Sequence, residues 1–119
     1  MSTDAGSPQL RPCPRKPNCV SSQGRGKQYI EPLPGDEGTW ERLPGVLEAL
    51  GGVRIVEQTA ETIRAEARTR VLRFVDDLDF VRDPEQGVIQ VRSASRLGYS
   101  DFGVNRRRLE TVRSELKKR

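Results

Sequence analysis

Residues 62–68 read T-I-R-A-E-A-R, so that Ile63, Ala65 and Ala67 alternate with Arg64, Glu66 and Arg68. Successive side chains of a strand point to opposite faces, and this segment therefore needs a sheet with one face covered and the other in water. That requirement predicts an antiparallel sheet under a single covering layer. It excludes a parallel sheet, whose strands are buried on both faces and read as continuous apolar runs. Neighbouring segments supply the partners. Residues 53–57 are short and β-branched, 77–82 put Leu78 and Phe80 on one side, and 88–92 follow the turn Asp83-Pro84-Glu85-Gln86-Gly87. Residues 69–76 lose the alternation and read as a loop carrying Val71, Leu72 and Phe74.

Two amphipathic segments account for the covering layer. Trp40, Leu43, Val46, Leu47 and Leu50 recur at helical spacing, and Gly51-Gly52 ends the run. Pro44-Gly45 interrupts it and predicts a kink or a late start. Over 104–117, Leu109, Val112 and Leu116 share one helical face with Asn105, an amide in an apolar stripe. The fold expected is thus a single α+β domain. Four antiparallel strands at 53–57, 62–68, 77–82 and 88–92 carry helices at 40–50 and 104–117 on one face.

The first third follows no such pattern. Pro12, Pro14, Pro17, Pro32 and Pro34 each fix a backbone angle and remove a donor. Residues 1–10 are expected to form a mobile tail, because ten small or polar residues do not offset their ordering entropy. Residues 11–35 are expected to be an extended arm packed on the 11–119 domain, pinned by Tyr29, Ile30 and Leu33. The opening residues have neither the basic start nor the apolar core of a secretory signal, and no run approaches the ~20 apolar residues of a membrane-crossing helix. A cytoplasmic protein is the expectation if the N-terminus is native, and no membrane contact is expected.

Charge is unevenly placed. Residues 36–91 hold seven basic against twelve acidic side chains, whereas 92–119 hold nine against three. The basic end suits an anionic small molecule or an acidic protein partner. With 5% aromatic residues and an acidic middle, nucleic acid is a poor fit. The chain contains no histidine, which excludes Ser-His-Asp and Cys-His catalysis and any imidazole metal ligand. No metal and no cofactor is expected.

The segment 92–108, R-S-A-S-R-L-G-Y-S-D-F-G-V-N-R-R-R, concentrates the remaining chemistry. Arginines at a strand end, two glycines and the free amides of a starting helix suit a carboxylate or phosphate. On this reading Arg92, Ser93, Ser95, Arg96, Ser100, Asp101, Asn105 and Arg108 surround an anionic ligand, with Asp76 and Asp77 opposite, in a binder or an enzyme. The alternative is a non-catalytic structural or protein-interaction module whose Arg, Asp, Ser and Asn side chains form an internal brace, Asp101 or Asp76 pairing one of the arginines. Unpaired arginine donors would favour the first reading, and a satisfied network the second. Cys13 and Cys19 are a redox candidate, read as two packed thiols, a small redox-labile disulfide loop, or a reactive thiol activated by the positive charge of Arg15 and Lys16.

The segments C-P-R-K-P-N-C-V-S-S (13–22), F-V-D-D (74–77) and the 92–108 run resemble DUF1499, a domain of unknown function, over nearly the whole chain. The resemblance implies one compact α+β domain. It implies no activity, cofactor or catalytic residue.

Overall fold

The protein is described by a computed structural model over residues 8–69 and 74–118. Eight main elements follow one another: β1 (Cys19–Ser21), β2 (Leu33–Pro34), α1 (Glu37–Ala49), β3 (Val53–Gln58), β4 (Thr62–Arg68), β5 (Val75–Asp83), β6 (Val88–Ser95) and α2 (Val104–Lys117). The sheet runs β1-β6-β5-β4-β3, with β2 also pairing β6, and every strand pair is antiparallel.

The α+β architecture is the one the alternation demands. Ile63, Ala65 and Ala67 are buried on the same face as Leu78, Phe80, Ile89 and Val91. Against them pack Trp40, Leu43, Val46 and Leu47 of α1 and Leu109, Val112 and Leu116 of α2, in one core cluster. The opposite face of β4 and β5 carries Arg64, Glu66, Asp77 and Asp79.

The sheet has six strands rather than four, and the arm is the reason. Ser21 pairs Arg92 and Leu33 pairs Ile89, so two pieces of the arm close the outer edge of β6. Val20, Ile30 and Leu33 join the core, whereas Tyr29 remains half-exposed. With partners on both sides β6 continues to Ser95, and β5 begins at Val75 instead of 77. Residues 1–7 and the loop residues Val71 and Leu72 lie outside the described residues. Leu10, assigned to the tail by sequence, is buried, and its amide donates to Gln23 Oε1 at 2.8 Å.

Helix α1 starts three residues before the expected position and runs through Pro44. Its beginning is set by Asp36, whose carboxylate accepts from the Thr39 amide at 3.0 Å and the Thr39 hydroxyl at 2.7 Å. Such a cap stabilises the first turn enough for the helix to tolerate a proline further along, since the burial of Leu43, Val46 and Leu47 outweighs one missing hydrogen bond. Helix α2 occupies 104–117 as its periodicity predicts.

Candidate functional site

Because the first residues of the 92–108 segment are strand and not turn, their side chains alternate across the sheet. Ser93 and Ser95 pair across from Leu78 and Asp76, on the face under the helices. Arg92 pairs across from Asp79, on the open face. One expected constellation is thereby divided into two.

Under the helices the polar side chains converge on Asn105, which is fully buried in the first turn of α2. Its Oδ1 accepts from Ser93 Oγ at 2.5 Å and from Arg108 Nη1 at 3.0 Å. Its Nδ2 donates to Asp101 Oδ2 at 2.7 Å, Ser95 Oγ at 3.0 Å and the Asn18 carbonyl at 3.2 Å. Arg108 Nη2 lies 2.8 Å from Asp76 Oδ2, and both side chains are nearly enclosed. Asp76 therefore supplies the arginine pairing anticipated for Asp101 or Asp76.

Asp101 has a different task. Its carboxylate accepts from the backbone amides of Gly103 at 2.8 Å and Asn105 at 3.1 Å, donors that a helix start leaves without intrahelical partners. It bonds none of the arginines Arg92, Arg96 and Arg108 among the described residues, and it occupies the amides on which an anion was expected to sit. Ser100 receives the Phe102 amide at 3.2 Å. Gly98 and Gly103 have φ of 91° and 82°, conformations that glycine adopts without strain. Phe102 shares the left-handed region at φ 53° with no such freedom, and its side chain is 85% exposed.

On the open face, the Arg96 guanidinium donates to both carboxylate oxygens of Asp77 at 2.8 Å and to Glu66 at 2.7 Å. This fork holds Asp77 below its ordinary pKa. Arg92 is buried with Asp79 at 3.8 Å, and it donates to the Pro12 carbonyl at 3.3 Å. Burial lowers the pKa of its guanidinium, and Arg11 adds to that shift.

The arm closes the site. Cys13 and Cys19 are joined as a disulfide, with Cα atoms 5.7 Å apart. The loop they make presents the Pro17 carbonyl to the Asp101 amide and the Asn18 carbonyl to the Ser95 amide. Asn18 Nδ2 donates to the carbonyls of Ser95 and Gly98. Sequence reasoning did not single out Asn18, although it lies inside the C-P-R-K-P-N-C motif.

Between the 96–103 loop and the start of β5 is a cavity of about 360 Å³. Phe74, Leu97, Phe102 and Val104 form its apolar walls, and Asp76, Ser95 and Asp101 are its acidic and hydroxylic lining. These apolar residues were also absent from the expected site. The signal available was that Leu97, Tyr99 and Phe102 occur in a turn with no periodicity to bury them.

Together these features define a class: a small α+β domain whose polar motif ties a strand, a helix start and a disulfide-closed arm to one another. The chain belongs to the family DUF1499, described as a protein of unknown function, whose model matches residues 9–116. No curated protein matches the chain, and neither does any solved structure.

Proposed function

We propose that this domain is a non-catalytic recognition module, with the 92–108 motif as its internal brace and the 96–103 loop as its contact surface. One observation carries the reading. Ser93, Asn105, Arg108 and Asp76 bond one another, while Leu97, Tyr99 and Phe102, on the loop they hold, are 70%, 69% and 85% exposed. Apolar side chains gathered on a held loop mark a binding surface more often than a fold requirement. A non-glycine residue in the left-handed region, as at Phe102, fits a loop selected for presentation. Any protein partner contacts this loop rather than the basic side of α2, where Arg106 and Arg113 are tied to arm carbonyls.

Anion recognition loses its footing in this reading. Arg96 and Arg108 have carboxylate partners, and the amides at the start of α2 are capped by Asp101. The Cys13–Cys19 bond supports an oxidising compartment over the cytoplasm, where thiols stay reduced.

The test is a thermal-shift series with sulfate, phosphate and small carboxylates on the wild type and Arg96→Ala, alongside Leu97→Ser/Phe102→Ser. The reading expects no anion-specific stabilisation and an unchanged melting temperature for the double variant. Stabilisation by phosphate that disappears in Arg96→Ala would restore the anion site. A large fall in the double variant would make the loop residues structural.

A further inference from the structure

The loop that the brace holds carries apolar side chains inside a ring of basic ones. Leu97, Tyr99 and Phe102 stand out from it, each with most of its surface in water. Around them are Arg15 and Lys16 of the disulfide-closed loop, Lys27 of the short turn Gly26–Gln28 and Arg107 in the first turn of α2, all exposed. Bonds fix their closeness to the loop. The Pro17 carbonyl accepts from the Asp101 amide, Gln28 Nε2 donates to the Lys16 carbonyl, and Arg107 Nη1 donates to the Phe102 carbonyl. Lys27 and Gln28 share a small cleft with Ser100 and Gly103.

The acidic groups beside the loop are already engaged. Asp77 and Glu66 meet Arg96, Asp76 meets Arg108, and Asp101 takes the amides of Gly103 and Asn105. The outer surface is therefore apolar at its tip and positive at its rim. Shape and chemistry together choose the partner. A protein would need a rigid pocket for each projecting side chain, whereas a bilayer interface yields around them. Aromatic rings settle at headgroup level, leucine goes deeper, and basic side chains meet anionic headgroups.

We infer that the 96–103 loop docks on an anionic lipid surface, with Leu97, Tyr99 and Phe102 entering the headgroup layer and Arg15, Lys16, Lys27 and Arg107 meeting lipid phosphates. The inference rests on the proposed function in taking this loop as the contact surface, and it names the partner. Docking in this way turns the hairpin turns at the other end of the sheet, with exposed Glu61 and Glu85, away from the anionic surface. The sequence expectation of no membrane contact rested on the lack of an apolar span. Among the described residues no helix is long and apolar enough to cross a bilayer, and surface docking requires none.

Co-sedimentation of the full chain with vesicles tests this, using phosphatidylcholine alone or with phosphatidylglycerol at about 30%. Binding to the anionic vesicles is expected to be about tenfold or more tighter than to the neutral ones, and to weaken as salt is raised. Leu97→Ser/Phe102→Ser should weaken it about tenfold or more, because two apolar side chains no longer leave water. Lys27→Gln/Arg107→Gln should weaken it about tenfold. Lys117→Gln/Lys118→Gln removes the same charge roughly 15 Å along α2 from Arg107 and should change it less than about twofold.

The inference is overturned if the anionic vesicles do not sediment the protein at low salt, if neutral vesicles do so equally, or if Leu97→Ser/Phe102→Ser binds as the wild type does. Equal losses in the two charge variants also overturn it, as adsorption of a basic chain without a preferred face. Melting curves of the same variants separate this failure from that of the proposed function. No vesicle binding, with Leu97→Ser/Phe102→Ser melting as the wild type does, rejects the lipid surface and leaves a protein as the partner of the loop. A large fall in that variant's melting temperature makes the loop residues structural and rejects both.

Discussion

Replacing Asn105 with alanine is the most informative single perturbation of the brace. Asn105 has no exposed surface, so water cannot reach the groups it leaves behind without opening the structure. Its Oδ1 is the acceptor for the hydroxyl of Ser93, itself fully buried, and for Arg108 Nη1. Its Nδ2 is a donor to Asp101, Ser95 and the Asn18 carbonyl. Asp101 keeps the Gly103 and Asn105 amides, and the Asn18 carbonyl keeps the Ser95 amide, so those acceptors are only partly deprived. Ser93 and Arg108 Nη1 are the groups left without an acceptor. At about 1–3 kcal/mol for each buried group stranded in this way, the expected loss is about 3–4 kcal/mol. Against a total of about 5–15 kcal/mol for a domain, that is a large fraction of its stability. It corresponds to a fall in Tm of roughly 15–25 °C. Equilibrium urea unfolding is the assay, read as a lower midpoint at unchanged m-value. A loss below about 1 kcal/mol would refute the reasoning, because the network would then be replaceable by an alanine and some water.

Other predictions follow from separate parts of the molecule. Cys13→Ser/Cys19→Ser, or a reductant acting on the wild type, should lower stability by about 2 kcal/mol for so short a loop, seen as matching shifts in the urea midpoint. Phe102→Gly should be more stable than Phe102→Ala by about 1 kcal/mol, since only glycine removes the left-handed strain, and equal stabilities would show that the loop relaxes. Arg96 holds Asp77 below its ordinary pKa of 3.8, so this pair contributes stability above that value and loses it as pH falls through the lower, folded pKa. Arg96→Ala should therefore flatten that part of the acid limb of a stability-against-pH curve and leave the neutral-to-alkaline limb unchanged. Asp101→Ala should free the first amides of α2, observed as faster hydrogen exchange at Gly103 and Asn105.

The fold was legible where side-chain period is the controlling physics. The two-residue alternation of 62–68 and the helical stripe of Leu109, Val112 and Leu116 each have one burial solution, and both elements fall where the pattern puts them. The arm strands were not legible. Three residues at Cys19–Ser21 and two at Leu33–Pro34 are too short for any period, and the edge of β6 alone gives them their conformation. The start of α1 was missed because Asp36 caps by a local hydrogen bond that leaves no trace in the apolar spacing.

At the site, the sequence identified Asn105 as an amide out of place on an apolar face, and the structure shows what meets it. It did not disclose that Ser93 and Arg92 part company. The serines and glycines after Arg92 suggest a turn, but β6 continues to Ser95, and a strand sends neighbouring residues to opposite faces. Nor did composition tell engaged arginines from free ones. Arg108 and Arg96 meet Asp76, Asp77 and Glu66 only through long-range strand register and helix placement.

The account stands or falls on the Asp76–Arg108 contact, which joins β5 to α2 beneath the motif. A double-mutant cycle with Asp76→Ala, Arg108→Ala and the pair, measured by urea unfolding, tests it most directly. Removing either partner alone should cost about 3–5 kcal/mol, because the other is left charged in a closed setting. The double variant should be little worse than either single one, giving a coupling of about 2 kcal/mol or more. Additive losses, with a coupling near zero, would contradict the brace.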